Sequence, residues 1–172
     1  MADRAVIGPP GIVTDVFFGG HLRLRQPAEG HRCGTDAVLL AAAAPRDFSG
    51  RAVDVGAGVG GAGLALAATR PGARVAFLEE DPFTAELARA NLAQNGLSDR
   101  CYVAEADLLN PASRRGAGLQ EESADLVITN PPFLDPGKAK LSPEPSKRRT
   151  ELVRKDSLQI AVRVAALRED CA

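Results

Sequence analysis

Short apolar runs separated by glycines open the chain. Two such runs, residues 13–18 and 22–25, flank Gly19 and Gly20, and this pattern predicts a β-hairpin. A third apolar stretch covers residues 36–44, and Thr35 before it is a residue type that often caps helices. The pattern therefore predicts a hairpin, then a helix capped by Thr35.

Further along the chain, strand-like runs alternate with helix-like segments. The run that begins at Arg51 is predicted to be a strand that ends in a glycine turn. Three more strands are predicted at residues 74–78, 101–106 and 124–129. Strands that alternate with helices predict a parallel α/β sheet with right-handed crossovers.

Helix signals fall between these strands. A small-residue helix is predicted at residues 61–68, and another begins at Pro82 behind the cap Asp81. Residues 108–123 are predicted to be a long polar connection, and residues 157–167 a last helix. We expect one domain over residues 1–172, made of an extension (1–48) and a core (49–172).

Composition restricts the class of protein. The chain has 172 residues, of which 45% are apolar and 25% charged, and its net charge is −1, as expected of one soluble globular domain. It has neither an apolar run of about 20 residues nor the start of a signal peptide. Its three cysteines and two histidines lack metal-ligand spacing. We therefore expect a cytoplasmic protein with free thiols, no bound metal and no membrane association.

A glycine turn follows the strand that begins at Arg51. Gly56, Gly58 and Gly61 have the G-x-G-x-x-G spacing between a strand and a helix, where backbone approaches a ligand closely. Glu79 ends the next strand, where an acid would accept hydrogen bonds from ribose hydroxyls. The spacing alone is also typical of dinucleotide dehydrogenases.

Two aspartates favour S-adenosylmethionine over a dinucleotide. Asp54 lies two residues before the glycines, where its carboxylate would attract an ammonium group and repel a pyrophosphate. Asp107 follows the third strand of this series, where it could accept from an adenine amino group or simply cap a loop. The predicted cofactor contacts thus include Asp54, Gly56, Ala57, Gly58, Glu79 and Asp107.

The candidate chemistry lies at Asn130, Pro131, Pro132 and Phe133, directly after the last predicted strand. The Asn130 side-chain oxygen and the Pro131 carbonyl are acceptors that could hold the hydrogens of an amino group. The two prolines would keep them rigid. Phe133 could stack on a planar base. Such an arrangement would localise the nitrogen lone pair for attack on a methyl group, and the alternative is an ordinary turn.

The residues "NPPF" resemble the catalytic motif of amino-group methyltransferases that act on adenine N6, cytosine N4 or glutamine. Residues 19–42 resemble the amino-terminal signature of bacterial tRNA adenine-N6 methyltransferases that modify the adenosine beside the anticodon of a valine tRNA. Here His31 and Cys33 replace the Tyr and Phe of that signature. The resemblance implies a Rossmann-like class I S-adenosylmethionine-dependent methyltransferase sheet, with Asp36 and Asn130 also beside the cofactor.

The resemblance covers residue 12 to about residue 150. The carboxyl-terminal strands that it implies are not evident in the sequence, so we expect an incomplete sheet from an apparently truncated chain. Residues 133–155 carry seven bases against three acids. We expect Lys147, Arg148 and Arg149 to contact the phosphates of a tRNA or another structured RNA. Two alternatives are a protein-glutamine methyltransferase and an inactive cofactor- or RNA-binding module.

Overall fold

A computed structural model of the chain describes residues 11–29, 32–120 and 123–130. The first described element is an antiparallel hairpin of β1 (Ile12–Phe17) and β2 (Leu22–Pro27), joined by a short 3-10 turn at Phe18–Gly20. Gly19 and Gly20 both have positive φ, which the tight turn requires. The hairpin predicted around these glycines is therefore confirmed.

A four-stranded parallel sheet forms the centre of the described residues. Its strands are β3 (Gly50–Val55), β4 (Ala73–Glu79), β5 (Cys101–Glu105) and β6 (Leu126–Thr129). They lie in the order β5-β4-β3-β6. The chain therefore moves outward from β3 to β5 and then returns to the other side of β3. This reversal creates a crevice at the carboxyl ends of the strands, where ligands of open α/β sheets bind.

Four helices connect the strands and the hairpin: α1 (Thr35–Ala43), α2 (Gly61–Thr69), α3 (Pro82–Gln94) and α4 (Pro111–Gly116). The predicted start of α3 is confirmed, because Asp81 Oδ1 accepts a hydrogen bond from the Thr84 amide at 2.8 Å and Pro82 is the first helical residue. No helix in the described part of the chain is long and apolar enough to cross a membrane.

Two local predictions were wrong. Thr35 does not cap α1 but is its first residue, and Gly34 precedes it without a side-chain cap. The polar connection after β5 contains α4, which the sequence analysis missed. Asn110 caps α4 by accepting hydrogen bonds from the Ala112 and Ser113 amides, and Pro111 supplies a first residue that needs no amide hydrogen. This Asn-Pro pair was the available signal.

Small residues let α2 lie directly against the sheet. Phe77 on β4 is fully buried, and a Cβ added to Gly63 would lie only 2.5 Å from its ring. A Cβ on Gly60 would lie 3.1 Å from the same ring. A larger side chain at either position would push α2 away, because a buried ring in a close-packed core has little room to move. The start of α2 is thereby held against β4.

Asn91 on α3 joins the hairpin to this layer. Its side chain is completely buried. Its Oδ1 accepts from the Arg25 amide at 2.8 Å, and its Nδ2 donates to the carbonyls of Arg25 and Val59, each at 2.9 Å. The amide side chain thus pairs with β2 as a neighbouring strand would, and it also fixes the loop that precedes α2.

We expect Asn91→Ala to lower the free energy of unfolding by about 2 kcal/mol or more, because it leaves buried backbone groups without partners. Asn95→Ala is the matched control. Asn95 makes the same pair of bonds to the Arg23 amide and carbonyl, but at a site that solvent reaches. Water can replace those bonds, so its loss should be smaller. Equal losses in denaturant titrations of the full chain would contradict the importance of burial here.

Candidate active site

The described candidate residues gather at the carboxyl edge of the parallel sheet. The glycine loop, residues 56–60, joins β3 to α2, and Glu79 is the last residue of β4. Asn130 directly follows β6, which is the neighbour of β3 on its other side. These residues come from separate parts of the sequence, and the strand order brings them to the mouth of one crevice.

Gly56 and Gly58 face open space. Their φ values are +65° and +57°, and a Cβ added to either would meet no atom within 4 Å. Gly61 differs, because a Cβ there would lie 2.0 Å from the Cys33 sulfur. The first two glycines therefore leave room for a ligand against the backbone, whereas the third is required for packing. The G-x-G-x-x-G spacing alone does not show which of its glycines face a ligand and which one is needed for packing.

Glu79 holds the glycine loop in place. One oxygen of its carboxylate accepts from the Gly58 amide at 2.8 Å, and the other accepts from the Glu80 and Asp81 amides at 2.9 Å. Burial raises the pKa of the Glu79 carboxyl above its usual value, although these amides oppose the shift. The side chain predicted to bind ribose hydroxyls therefore lies beside the open glycines.

Asp54 lies beneath the loop. Its side chain is almost fully buried and accepts a hydrogen bond from the Gly63 amide, in the first turn of α2, at 2.8 Å. Burial raises the pKa of its carboxyl to about 7, and the negative charge of Glu79 adds to the effect. The attraction of Asp54 for an ammonium group stays a prediction. The hydrogen bond that the structure shows joins Asp54 to Gly63 in α2.

Asp107 caps a turn at the end of β5. Its Oδ1 accepts from the Leu109 amide at 2.8 Å, and its own amide donates to the Ser113 hydroxyl at 3.2 Å. This is the loop-cap role that was the alternative in the sequence. Asp107 is exposed at the same edge of the sheet as Glu79, where an adenine could reach it, and that contact stays a prediction.

Asp36 and Asn130 are hydrogen-bonded to each other, although 94 positions separate them. The Asn130 Nδ2 donates to the Asp36 carboxylate. This bond is the main reason why the pKa of Asp36 lies below its usual value. Pro131, Pro132 and Phe133 lie outside the described residues, as do Lys147, Arg148 and Arg149, so their predicted roles are untested.

A polar network, which we call the Asp15 cluster, fixes the segment before α1. Asp15, buried on β1, accepts from the side-chain amide of Gln26 and the guanidinium of Arg32. Gln26 is also buried, and its Oε1 accepts from the Cys33 amide at 2.8 Å. Asp15 was not among the residues predicted from the sequence. A carboxylate at an inward position of a predicted strand was the available signal, because such a group needs a partner.

Cys33 is a packing residue in this cluster. Burial raises the pKa of its thiol to about 12, and the nearby carboxylates of Asp36, Asp54 and Asp15 act in the same direction. The thiol therefore stays neutral and a poor nucleophile. Cys33 and Cys101 are both free thiols. In the described ranges, no group of three or more His, Cys, Asp or Glu side chains could hold a metal ion.

The strand order β5-β4-β3-β6, with an open glycine loop after β3 and an asparagine after β6, is that of the class I S-adenosylmethionine-dependent methyltransferases. The predicted fold class is therefore confirmed. Within this class, the chain belongs to the methyltransferase small domain family, whose model matches residues 32–143.

Curated relatives are similar over most of this chain. A Porphyromonas gingivalis protein named tRNA1(Val) (adenine(37)-N6)-methyltransferase is 40% identical over 125 residues, which cover 70% of this chain and 48% of the relative. A protein of the same name from Erwinia tasmaniensis is 34% identical over 142 residues, 82% of this chain and 54% of the relative. The predicted resemblance to bacterial tRNA adenine-N6 methyltransferases is thus confirmed. The chain spans about half the length of these relatives.

Solved structures agree on the fold. A predicted O-methyltransferase from Agrobacterium tumefaciens is 42% identical and superimposes with a TM-score of 0.51, over 56% of this chain and 49% of that one. M. jannaschii TYW2, solved in complex with AdoMet, gives a TM-score of 0.56 at 17% identity, over 72% of this chain and 52% of that one. The second likeness concerns the fold alone.

Proposed function

We propose that this chain is the S-adenosylmethionine-binding and catalytic part of a methyltransferase that methylates the N6 amino group of an adenosine in tRNA. The single observation that carries the proposal is the placement of Asn130 at the mouth of the crevice, next to the open glycine loop. The names of the curated relatives support tRNA as the substrate and the position 37 type of adenosine. A tRNA substrate also favours the cytoplasm as the location.

The described residues fit the cofactor. Gly56 and Gly58 leave their side open for a ligand, and Ala57 between them would contact it through its backbone. Glu79 lies beside Gly58 with a carboxylate suited to ribose hydroxyls. Asp54 would supply negative charge for the ammonium group, and Asp107 would accept from the adenine amino group. When bound, S-adenosylmethionine supplies a methyl group activated by the sulfonium charge. The residues of the chain would bind it, orient it and exclude water.

Asn130 would then prepare the substrate amine. In adenine the lone pair of the exocyclic nitrogen is delocalised into the ring. Acceptors that hold both amino hydrogens out of the ring plane would localise the lone pair toward the methyl group. We assign this role to the Asn130 side-chain oxygen and the Pro131 carbonyl, with Pro132 to stiffen the turn and Phe133 to stack on the base. The reaction requires no general base, because the nitrogen loses its proton after it becomes cationic.

The basic stretch after the catalytic motif would bind the RNA backbone. Lys147, Arg148 and Arg149 would neutralise phosphates without selecting a sequence. We further propose that residues 1–172 act as one domain, in which residues 1–48 support the catalytic edge of the core.

Glu79→Ala should weaken S-adenosylmethionine binding at least about tenfold, because it removes charge-assisted hydrogen bonds to the ribose and releases the Gly58 amide. Glu80→Ala is the matched control. It removes the same charge one residue away, at an exposed position. Calorimetry should show near-parent affinity for this control. Equal affinities for both variants would contradict the assignment of Glu79.

The proposed function is tested by incubating the chain with methyl-labelled S-adenosylmethionine, bulk tRNA and a protein extract in one mixture. We expect label that RNase removes and protease does not. Methyl transfer to RNA should also fall steeply as the salt concentration increases. Binding to phosphates releases counterions, so added salt weakens the binding of RNA. Label that only protease removes would contradict the RNA assignment and favour a protein-glutamine acceptor. Cofactor binding without any transfer would indicate an inactive binding module.

A further inference from the structure

We propose that Asp36 is a positioning residue that fixes the side-chain amide of Asn130 with its oxygen toward the substrate amine. The inference rests on the proposed function, which gives the Asn130 oxygen its acceptor role. It goes further because it explains what keeps that oxygen in the productive orientation and gives the amino-terminal hairpin a task in the reaction.

The chemistry of the Asp36–Asn130 pair allows only one orientation of the amide. An ionised carboxylate only accepts hydrogen bonds, so the amide must present its NH₂ group to Asp36. The amide is planar, and its oxygen therefore points away from Asp36. The flipped amide would place its oxygen against the carboxylate, where two acceptors repel each other. It would also direct two donor hydrogens at the substrate amine, which has hydrogens of its own to donate.

Asp36 carries a negative charge at neutral pH. The Asn130 bond is the largest cause that lowers the pKa of the Asp36 carboxyl, burial opposes it, and backbone amides at the start of α1 lower the pKa further. The group therefore stays negative at neutral pH. The constraint on the amide is therefore present throughout the pH range in which the enzyme would work.

The Asp15 cluster and the start of α1 hold Asp36 in position. The Asp15 cluster holds Arg32 and the Cys33 amide, and α1 begins two residues after Cys33. A side chain at Gly34 would displace the Asp36 carboxylate, because an added Cβ would lie 2.9 Å from the Asp36 Oδ1. The hairpin thus sets where α1 begins, α1 sets the position of the carboxylate, and the carboxylate orients the amide at the end of β6.

A second role for Asp36 must be separated from this one. The family resemblance places this region near the methionine end of the cofactor, where a carboxylate would bind the ammonium group. A cofactor-binding role predicts weaker S-adenosylmethionine affinity when Asp36 is replaced. An orienting role predicts a slower transfer step at saturating cofactor, because only the fraction of amides with the correct orientation supports the reaction.

The test exchanges the two side chains. Asp36→Asn allows the amide at 130 to flip, and Asn130→Asp places two carboxylates together, so each single variant should lower the single-turnover transfer rate at saturating cofactor at least about tenfold. The double variant Asp36→Asn/Asn130→Asp restores one donor facing one carboxylate and leaves an acceptor oxygen for the substrate. We expect it to recover to within about threefold of the parent rate.

A merely structural role of Asp36 would not produce this rescue. A double variant no faster than the slower single variant, or an Asp36→Asn variant altered only in cofactor affinity, would overturn the proposal. Selective ¹⁵N NMR of the Asn130 side chain gives a readout that needs no activity. The NH₂ hydrogen that Asp36 accepts should resonate well downfield of the other NH₂ hydrogen in the parent, and this difference should shrink in Asp36→Ala. Two similar shifts in the parent would overturn the pairing, whereas well-separated shifts in a parent that labels no RNA would refute the proposed function alone.

Discussion

Asn130→Ala should lower the single-turnover rate of methyl transfer to tRNA about a hundredfold, which is typical for the loss of one preorganised polar group. The affinity for tRNA should change much less, because the lost acceptor matters most as the substrate nitrogen becomes pyramidal. The measurement is single-turnover transfer of labelled methyl at saturating cofactor, together with filter binding of tRNA.

The preceding residue offers a matched control. Thr129 is the last residue of β6, and its hydroxyl donates to the Val55 carbonyl across the sheet at 3.0 Å. Thr129→Val removes a side-chain hydrogen bond at the neighbouring position without changing the crevice. We expect it to transfer methyl near the parent rate. An Asn130→Ala variant as fast as this control would show that "NPPF" is only a turn.

Asp54→Asn should remove a large dependence of stability on pH. Burial raises the pKa of the Asp54 carboxyl from its usual 3.8 to about 7 in the folded chain. Between these two pH values the folded chain binds more protons than the unfolded chain, so stability falls as pH rises. The ionisation of Asp54 does not destabilise the folded chain below about pH 4, and its full destabilising effect is reached above about pH 7. A pKa shift of this size corresponds to on the order of 4 kcal/mol of folding free energy.

Denaturant titrations of the parent and of Asp54→Asn at several pH values measure this effect. The difference between the two free energies of unfolding should change steadily between about pH 4 and pH 7, in favour of the variant at high pH. The comparison cancels the titrating groups that do not interact with Asp54. Glu79 is coupled to Asp54 through its negative charge, and its own pKa is raised by burial in the same direction, so it contributes to the difference with the same sign. Two parallel profiles would contradict a buried carboxyl that loses its proton near neutrality.

The sheet was predictable because its signals are local. Each strand is a short apolar run, and caps such as Asp81 are encoded within a few residues. The start of α1 was predicted one residue late because Gly34 and Thr35 both suit the N-cap position, and the local sequence does not distinguish them. The short helix α4 was missed because its six residues show no apolar periodicity, and only the pair Asn110-Pro111 marks it.

The candidate site was predictable as a set of residues but not as an arrangement. Spacing identified Gly56, Gly58 and Glu79, because strand ends in a parallel sheet share one edge. The bond between Asp36 and Asn130 joins residues far apart in sequence, and it depends on the pairing of β6 with β3. Asn91 was also missed, since nothing local distinguishes its buried side chain from any polar helical residue.

The measurement that tests the central claim most directly is the identity of the methylated atom. Bulk tRNA should be incubated with the chain and S-adenosylmethionine that carries an isotopically labelled methyl group, then digested to nucleosides and analysed by mass spectrometry against standards. The proposed function predicts labelled N6-methyladenosine, and Asn130→Ala should form it about a hundredfold more slowly. A label on a ribose oxygen, on a ring nitrogen or on another base would contradict a site built to prepare an exocyclic adenine amine.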